Sequence, residues 1–142
     1  MKKLLAPLGV LIAATGLVFA VSPVRAPAPA TNDAQLVLRT SGELLHTIRS
    51  TMDQTWTGLG DVLAETGQPS GMITHLATTV MNGELNIVTT DANGVYLSVR
   101  RVDGTWAGMQ RIAACAAVTS VAVAGVNGEL QVVVATDAGA NL

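Results

Sequence analysis

Two histidines, one cysteine, two tryptophans and ten acidic side chains are the residues of this 142-residue chain that could do chemistry. His46 and His75 stand alone in alternating stretches, with Cys115 far along the chain from both, a spacing that gives no metal-ligand pattern. No nucleophile, base and orienting group fall at a usable spacing, so the sequence predicts neither an enzyme nor a cofactor. Asp53 in DQTWTG and Asp91 in DANGVYL read as turn residues, without the dense oxygen ligands of a calcium loop. What remains are two matched pairs, Arg49 with Trp56 and Arg100 with Trp106. An indole can stack on the apolar face of a sugar ring while its N–H reaches a hydroxyl, and it can equally serve as packing. Each guanidinium can likewise pair with Asp53 or Asp103 across a turn, or offer a hydrogen-bond fork to a ligand hydroxyl.

The elements that position these residues are repeated. RSTMDQTWTGLG, Arg49 to Gly60, returns as RRVDGTWAGMQ, Arg100 to Gln110, and ITHLATTVMNGELNIVTTDANG, Ile73 to Gly94, returns as VTSVAVAGVNGELQVVVATDAG, Val118 to Gly139. Asn82-Gly83 answers Asn127-Gly128 between alternating β-branched runs, the strongest short-range hairpin signal. GELLHTIR and GVYLSVR both follow a turn and lead into the Trp motif. Each unit therefore reads as four strands in roughly 45 to 50 residues, the period of β-propeller blades. One unit spans Gly42 to Asp91 and a second Gly94 to Asp137, with Gln35 to Thr40 matching a last strand and Gly139 to Leu142 opening a third unit. The expectation is an all-β chain: β-propeller blades of four antiparallel strands, about two of them, with stub strands at both ends and an incomplete ring.

A helical reading competes over Glu43 to Leu63, where Leu45, Ile48, Met52, Trp56, Leu59 and Leu63 recur every three or four residues. The second copy decides for strands, because Val95, Leu97 and Val99 alternate with Tyr96, Ser98 and Arg100, and Asp103-Gly104 marks a turn.

The first thirty residues read as a signal peptide: Lys2 and Lys3, an apolar run from Leu4 to Val21, and Ala28-Pro29-Ala30 as the cleavage site, with a short linker at 31–34 before a partial propeller over 35–142. The chain is expected to be secreted, or, with its leader uncleaved, to be anchored at a membrane by the N-terminus. The remainder carries five Arg, no Lys and all ten acids, a formal charge of −5, which argues against nucleic acid and against anionic membrane as partners. Cys115 in IAACAAV is read as buried and inert, or as available to a second chain. With 49% hydrophobic but only 3% aromatic residues, packing falls to Val, Leu, Ile and Ala on alternating strand faces.

On GELLHTIR, TWTGLGDV, the NGEL hairpins and TDAG, the stretch from Gln35 to Leu142 resembles the PLL-type bacterial propeller lectins, related in style to tectonin repeats. The resemblance implies a secreted carbohydrate-binding module that takes a fucose-type neutral sugar between neighbouring blades, with Trp56, Trp106, Arg49 and Arg100 as candidate contacts. It also implies further blades, in a longer chain or in additional copies, because two blades leave an apolar face uncovered at each end. The second copy departs from the pattern where QRIAACAAV replaces the polar LGDVLAETGQPSG. A non-catalytic propeller scaffold for protein–protein interaction is the alternative reading.

Overall fold

A computed structural model describes residues 33–137 with their side chains and, in addition, the backbone of Leu11–Ala13 and Gly16–Val21. In chain order the elements are β1 (Leu11–Ala13), β2 (Gly16–Val21), β3 (Ala34–Arg39), β4 (Leu44–Arg49), β5 (Gly60–Asp61), the helix α1 (Val62–Thr66), β6 (His75–Met81), β7 (Glu84–Thr90), β8 (Val95–Arg100), β9 (Gln110–Ala113), β10 (Val118–Val126) and β11 (Glu129–Thr136). All strand pairings are antiparallel. They form a first sheet β3-β4-β5, a second sheet β6-β7-β8-β9, and a third sheet β1-β2-β11-β10.

The Asn-Gly dipeptides turn the chain as their chemistry requires. Asn82 and Gly83 have φ of 54° and 78°, Asn127 and Gly128 53° and 81°, the two positive angles of a type I′ loop. Met81 is thereby set opposite Glu84, and Val126 opposite Glu129. The helical reading of Glu43 to Leu63 fails at β4, whose six residues pair along their whole length with β3.

The two copies coincide down to individual hydrogen bonds. Leu36 faces Thr47 across β3–β4 just as Ile87 faces Ser98 across β7–β8. The buried Thr47 hydroxyl donates to the Thr57 carbonyl at 2.8 Å, and the buried Ser98 hydroxyl to the Ala107 carbonyl at 2.7 Å. Arg49 bridges to Trp56 and Arg100 to Trp106, so the Trp stretch is one β-bridge rather than a strand, and ladder pairing resumes only at β5 and β9. The extra residue of the first copy is absorbed in the intervening turn. There Gln54 N–H reaches back four residues to Ser50, whereas Gly104 N–H reaches three to Arg101.

The sheets divide the repeat at a different point from the sequence units Gly42–Asp91 and Gly94–Asp137. The four-residue turns at Thr40–Glu43 and Asp91–Gly94 keep β3 with β4 and β7 with β8 as hydrogen-bonded neighbours, while the chain crosses to the next sheet after β5 and after β9. In the first copy that crossing carries α1 within the stretch read as a polar loop. Asp61 caps it, its carboxylate accepting the Leu63 and Ala64 N–H groups, and Gly67 at φ 80° ends it.

Two apolar layers hold the three sheets in succession. Leu44, Val62, Leu63, Ile73, Leu85 and Ile87 lie between the first and second sheets, with Val37, Trp106 and Met109 packed against them. Met81, Val88, Val95, Leu130, Val132 and Val134 lie between the second and third. Val, Leu and Ile do most of this packing, as the aromatic-poor composition requires. Cys115 is a half-buried free thiol at the rim of the second layer.

β1 and β2 come from the apolar run read as the core of a signal peptide. β2 pairs with β11, from Leu130 opposite Val21 to Ala135 opposite Gly16, in the place that β8 takes beside β7. The cleavage site Ala28-Pro29-Ala30 and the stub at Gly139–Leu142 lie outside the described residues. No helix among the described residues is long and apolar enough to cross a membrane.

Candidate functional site

A cleft of about 580 Å³ opens where the first and second sheets meet. The first sheet supplies His46 and Ile48 from β4, Thr57 and Gly58 after the first Trp, Asp61 from β5 and Glu65 from α1. The second sheet supplies Arg100 from the end of β8 and Thr105 and Trp106 from the turn and bridge beyond it.

Trp106 is held from two sides. It packs on the apolar layer between the sheets, and its ring meets the His46 imidazole edge-to-face, 5.4 Å between centroids at 88°. His46 lies on the inward side of β4, where the second copy has Leu97 at the same register position. Its Nε2–H donates to Oε1 of Gln35 at 3.0 Å. Burial, with the Arg100 guanidinium as a second cause, lowers its pKa to about 4, so the ring is neutral at physiological pH. The cleft therefore joins an indole, a neutral imidazole, a guanidinium and two carboxylates.

The four residues singled out in the sequence separate into two pairs. Arg100 and Trp106 enter this cleft, whereas Arg49 and Trp56 stand outside its lining, and Trp56 is half exposed. The turn carboxylates serve their own turns. Asp103 accepts the Thr105 N–H and hydroxyl at 3.0 and 2.7 Å. Asp53 accepts the Thr55 N–H at 3.2 Å, and bonds from Ser50 and Thr55 hold it below the usual carboxylate range. His75 lies on β6 with its Nδ1 3.1 Å from both the Thr74 and Thr90 hydroxyls.

His46, Asp61 and Glu65 are the cleft residues that sequence reasoning did not select. The available signal was the divergence of the copies. Polar LGDVLAETGQPSG against QRIAACAAV, and His46 against Leu97, mark side chains that the repeat itself does not require.

A second polar cluster surrounds Asp91. Burial acts to raise the pKa of this carboxylate, but the Asn93 and Gly94 N–H groups, at 2.7 and 2.8 Å, together with the Ser70 and Tyr96 hydroxyls, hold it below the ordinary value. The cluster satisfies itself and fixes the turn into β8. Among the described residues no group of three or more His, Cys, Asp or Glu side chains is placed to hold a metal ion.

No protein-family model matches the chain, and neither a curated protein nor a solved structure matches it.

Proposed function

We propose that the chain is a secreted carbohydrate-binding module of propeller-blade sheets, taking a neutral, fucose-type sugar in the cleft between the first and second sheets. One observation carries this reading: Trp106, Arg100, Asp61 and Glu65 converge on a cleft of about 580 Å³, a volume within the usual range for small-molecule sites. An indole takes the C–H face of a pyranose, while carboxylates accept and a guanidinium donates to its hydroxyls. Neutral His46 beside Trp106 adds no charge, which suits an uncharged ligand. A half-open cleft orders few ligand atoms, so single-site affinity is low and useful binding comes from many sites acting together.

The test is a glycan array followed by calorimetry with the conservative variants Asp61→Asn, Glu65→Gln and Arg100→Gln, and with Trp56→Ala. The three cleft variants should each lower affinity several-fold while Trp56→Ala leaves it unchanged. A folded protein that binds no glycan, or binding indifferent to all three cleft variants, sinks the reading. The exposed apolar face of the first sheet favours a second reading, a protein-interaction scaffold.

A further inference from the structure

The outer face of the first sheet copies a face that the protein buries elsewhere. Leu36 and Leu38 stand at the register positions of Ile87 and Thr89, and Trp56 and Leu59 at those of Trp106 and Met109. In the second sheet Ile87 and Thr89 are wholly buried, and Trp106 and Met109 pack on the layer against the first sheet. In the first sheet the same positions face away from that layer, because Val37, between Leu36 and Leu38, points into it. They are left open: Leu36 is 41% exposed, Leu38 39%, Trp56 50% and Leu59 56%.

The third sheet presents the opposite half of the same contact. Val126 and Val133 occupy the positions of Met81 and Val88, which the second sheet buries against the third. They are 38% and 43% exposed. Register-equivalent strands, β3 and β4 on β7 and then β7 and β8 on β11, turn the same faces to one another in both layers, so the contact is head to tail and its two halves differ. Among the described residues one half is left partly exposed at one end of the stack and the other half at the opposite end.

We infer that the outer face of the first sheet, formed by Leu36, Leu38, Trp56 and Leu59, docks the outer face of the third sheet of a second copy of this chain, continuing the stack head to tail. A contact of this kind is heterologous, and it closes into a ring or extends according to the rotation per copy. The occupant is a second copy because the chain carries both faces itself and stacks its own sheets through register-equivalent positions, Val37 and Ile87 in one layer and Val88 and Val132 in the next. This inference does not rest on the sugar reading.

Light scattering of the full chain across concentration, with far-UV circular dichroism to verify folding, is the first measurement. The expected result is reversible association that Leu36→Glu with Leu38→Glu abolishes while folding is kept, which is feasible because both side chains are already partly in water. Orientation is read in a Cys115→Ser background. Leu38→Cys chains mixed with Val133→Cys chains should form disulfide-linked pairs, and Leu38→Cys chains alone should form few. A chain that stays monomeric at the highest concentration reached overturns the proposal. So does association that survives the double Glu variant, or Leu38→Cys chains that cross-link readily to each other, since the face would then pair with itself. A monomer whose Leu38→Cys thiol resists alkylation overturns it too, by showing that a segment of the same chain covers the face.

Discussion

Replacing His46 with leucine should remove most of the protein's loss of stability between pH 7 and pH 5. In the folded chain burial and the Arg100 charge bring the pKa of this ring down from 6.5 to about 4. Between those values the unfolded chain binds a proton that the folded chain refuses. Stability therefore falls as pH drops from about 6.5 and levels off below about 4. The two pKa values give a loss of roughly 2 kcal/mol between pH 7 and pH 5. The open cleft beside the ring admits water that screens the guanidinium, so a change of about 1–2 kcal/mol is expected. Leucine suits the site because Leu97 fills the same register position of the second sheet, and Gln35, half-exposed, turns to water when it loses its partner. Asp53 and Asp91, whose pKa values lie below the ordinary carboxylate value, act only at lower pH and leave this window to the histidine. Urea unfolding followed by tryptophan fluorescence at pH 7, 6 and 5 measures the effect on both proteins. A wild-type stability that is flat over this range, or a His46→Leu variant with the wild-type slope, refutes the reasoning.

Gly94→Ala should destabilise the fold by about 2–3 kcal/mol, because the added methyl would strike the Ala113 carbonyl on the neighbouring strand, whereas Gly42→Ala meets nothing and should change the melting temperature little. Ser98→Ala should cost about 1–2 kcal/mol by leaving the Ala107 carbonyl without its buried donor, as read by denaturant unfolding. Asp61→Ala should lower stability by about 1 kcal/mol through loss of the α1 cap; equal stability of variant and wild type in the same assay would count against that role.

The sequence by itself determined the two Asn-Gly hairpins and the strands β3, β4 and β8. Asn-Gly between β-branched runs leaves the backbone one economical turn, and alternation then sets which side chains share a face, so β6–β7 and β10–β11 were legible from composition and spacing alone. The repeat also marked Arg100 and Trp106 as equivalents of Arg49 and Trp56, since like residues at like spacing fold alike locally. It said nothing of which copy would face a partner sheet. Only the stacking of sheets decided that Trp106 lines a cleft while its twin Trp56 faces outward, because among the described residues the second sheet has a neighbour on that side and the first has none. The same step brought His46, Asp61 and Glu65 to Arg100, across dozens of residues of chain and from separate sheets. Local pattern fixes the direction in which each side chain leaves its strand; what it meets there depends on the next layer, which no short stretch of sequence encodes.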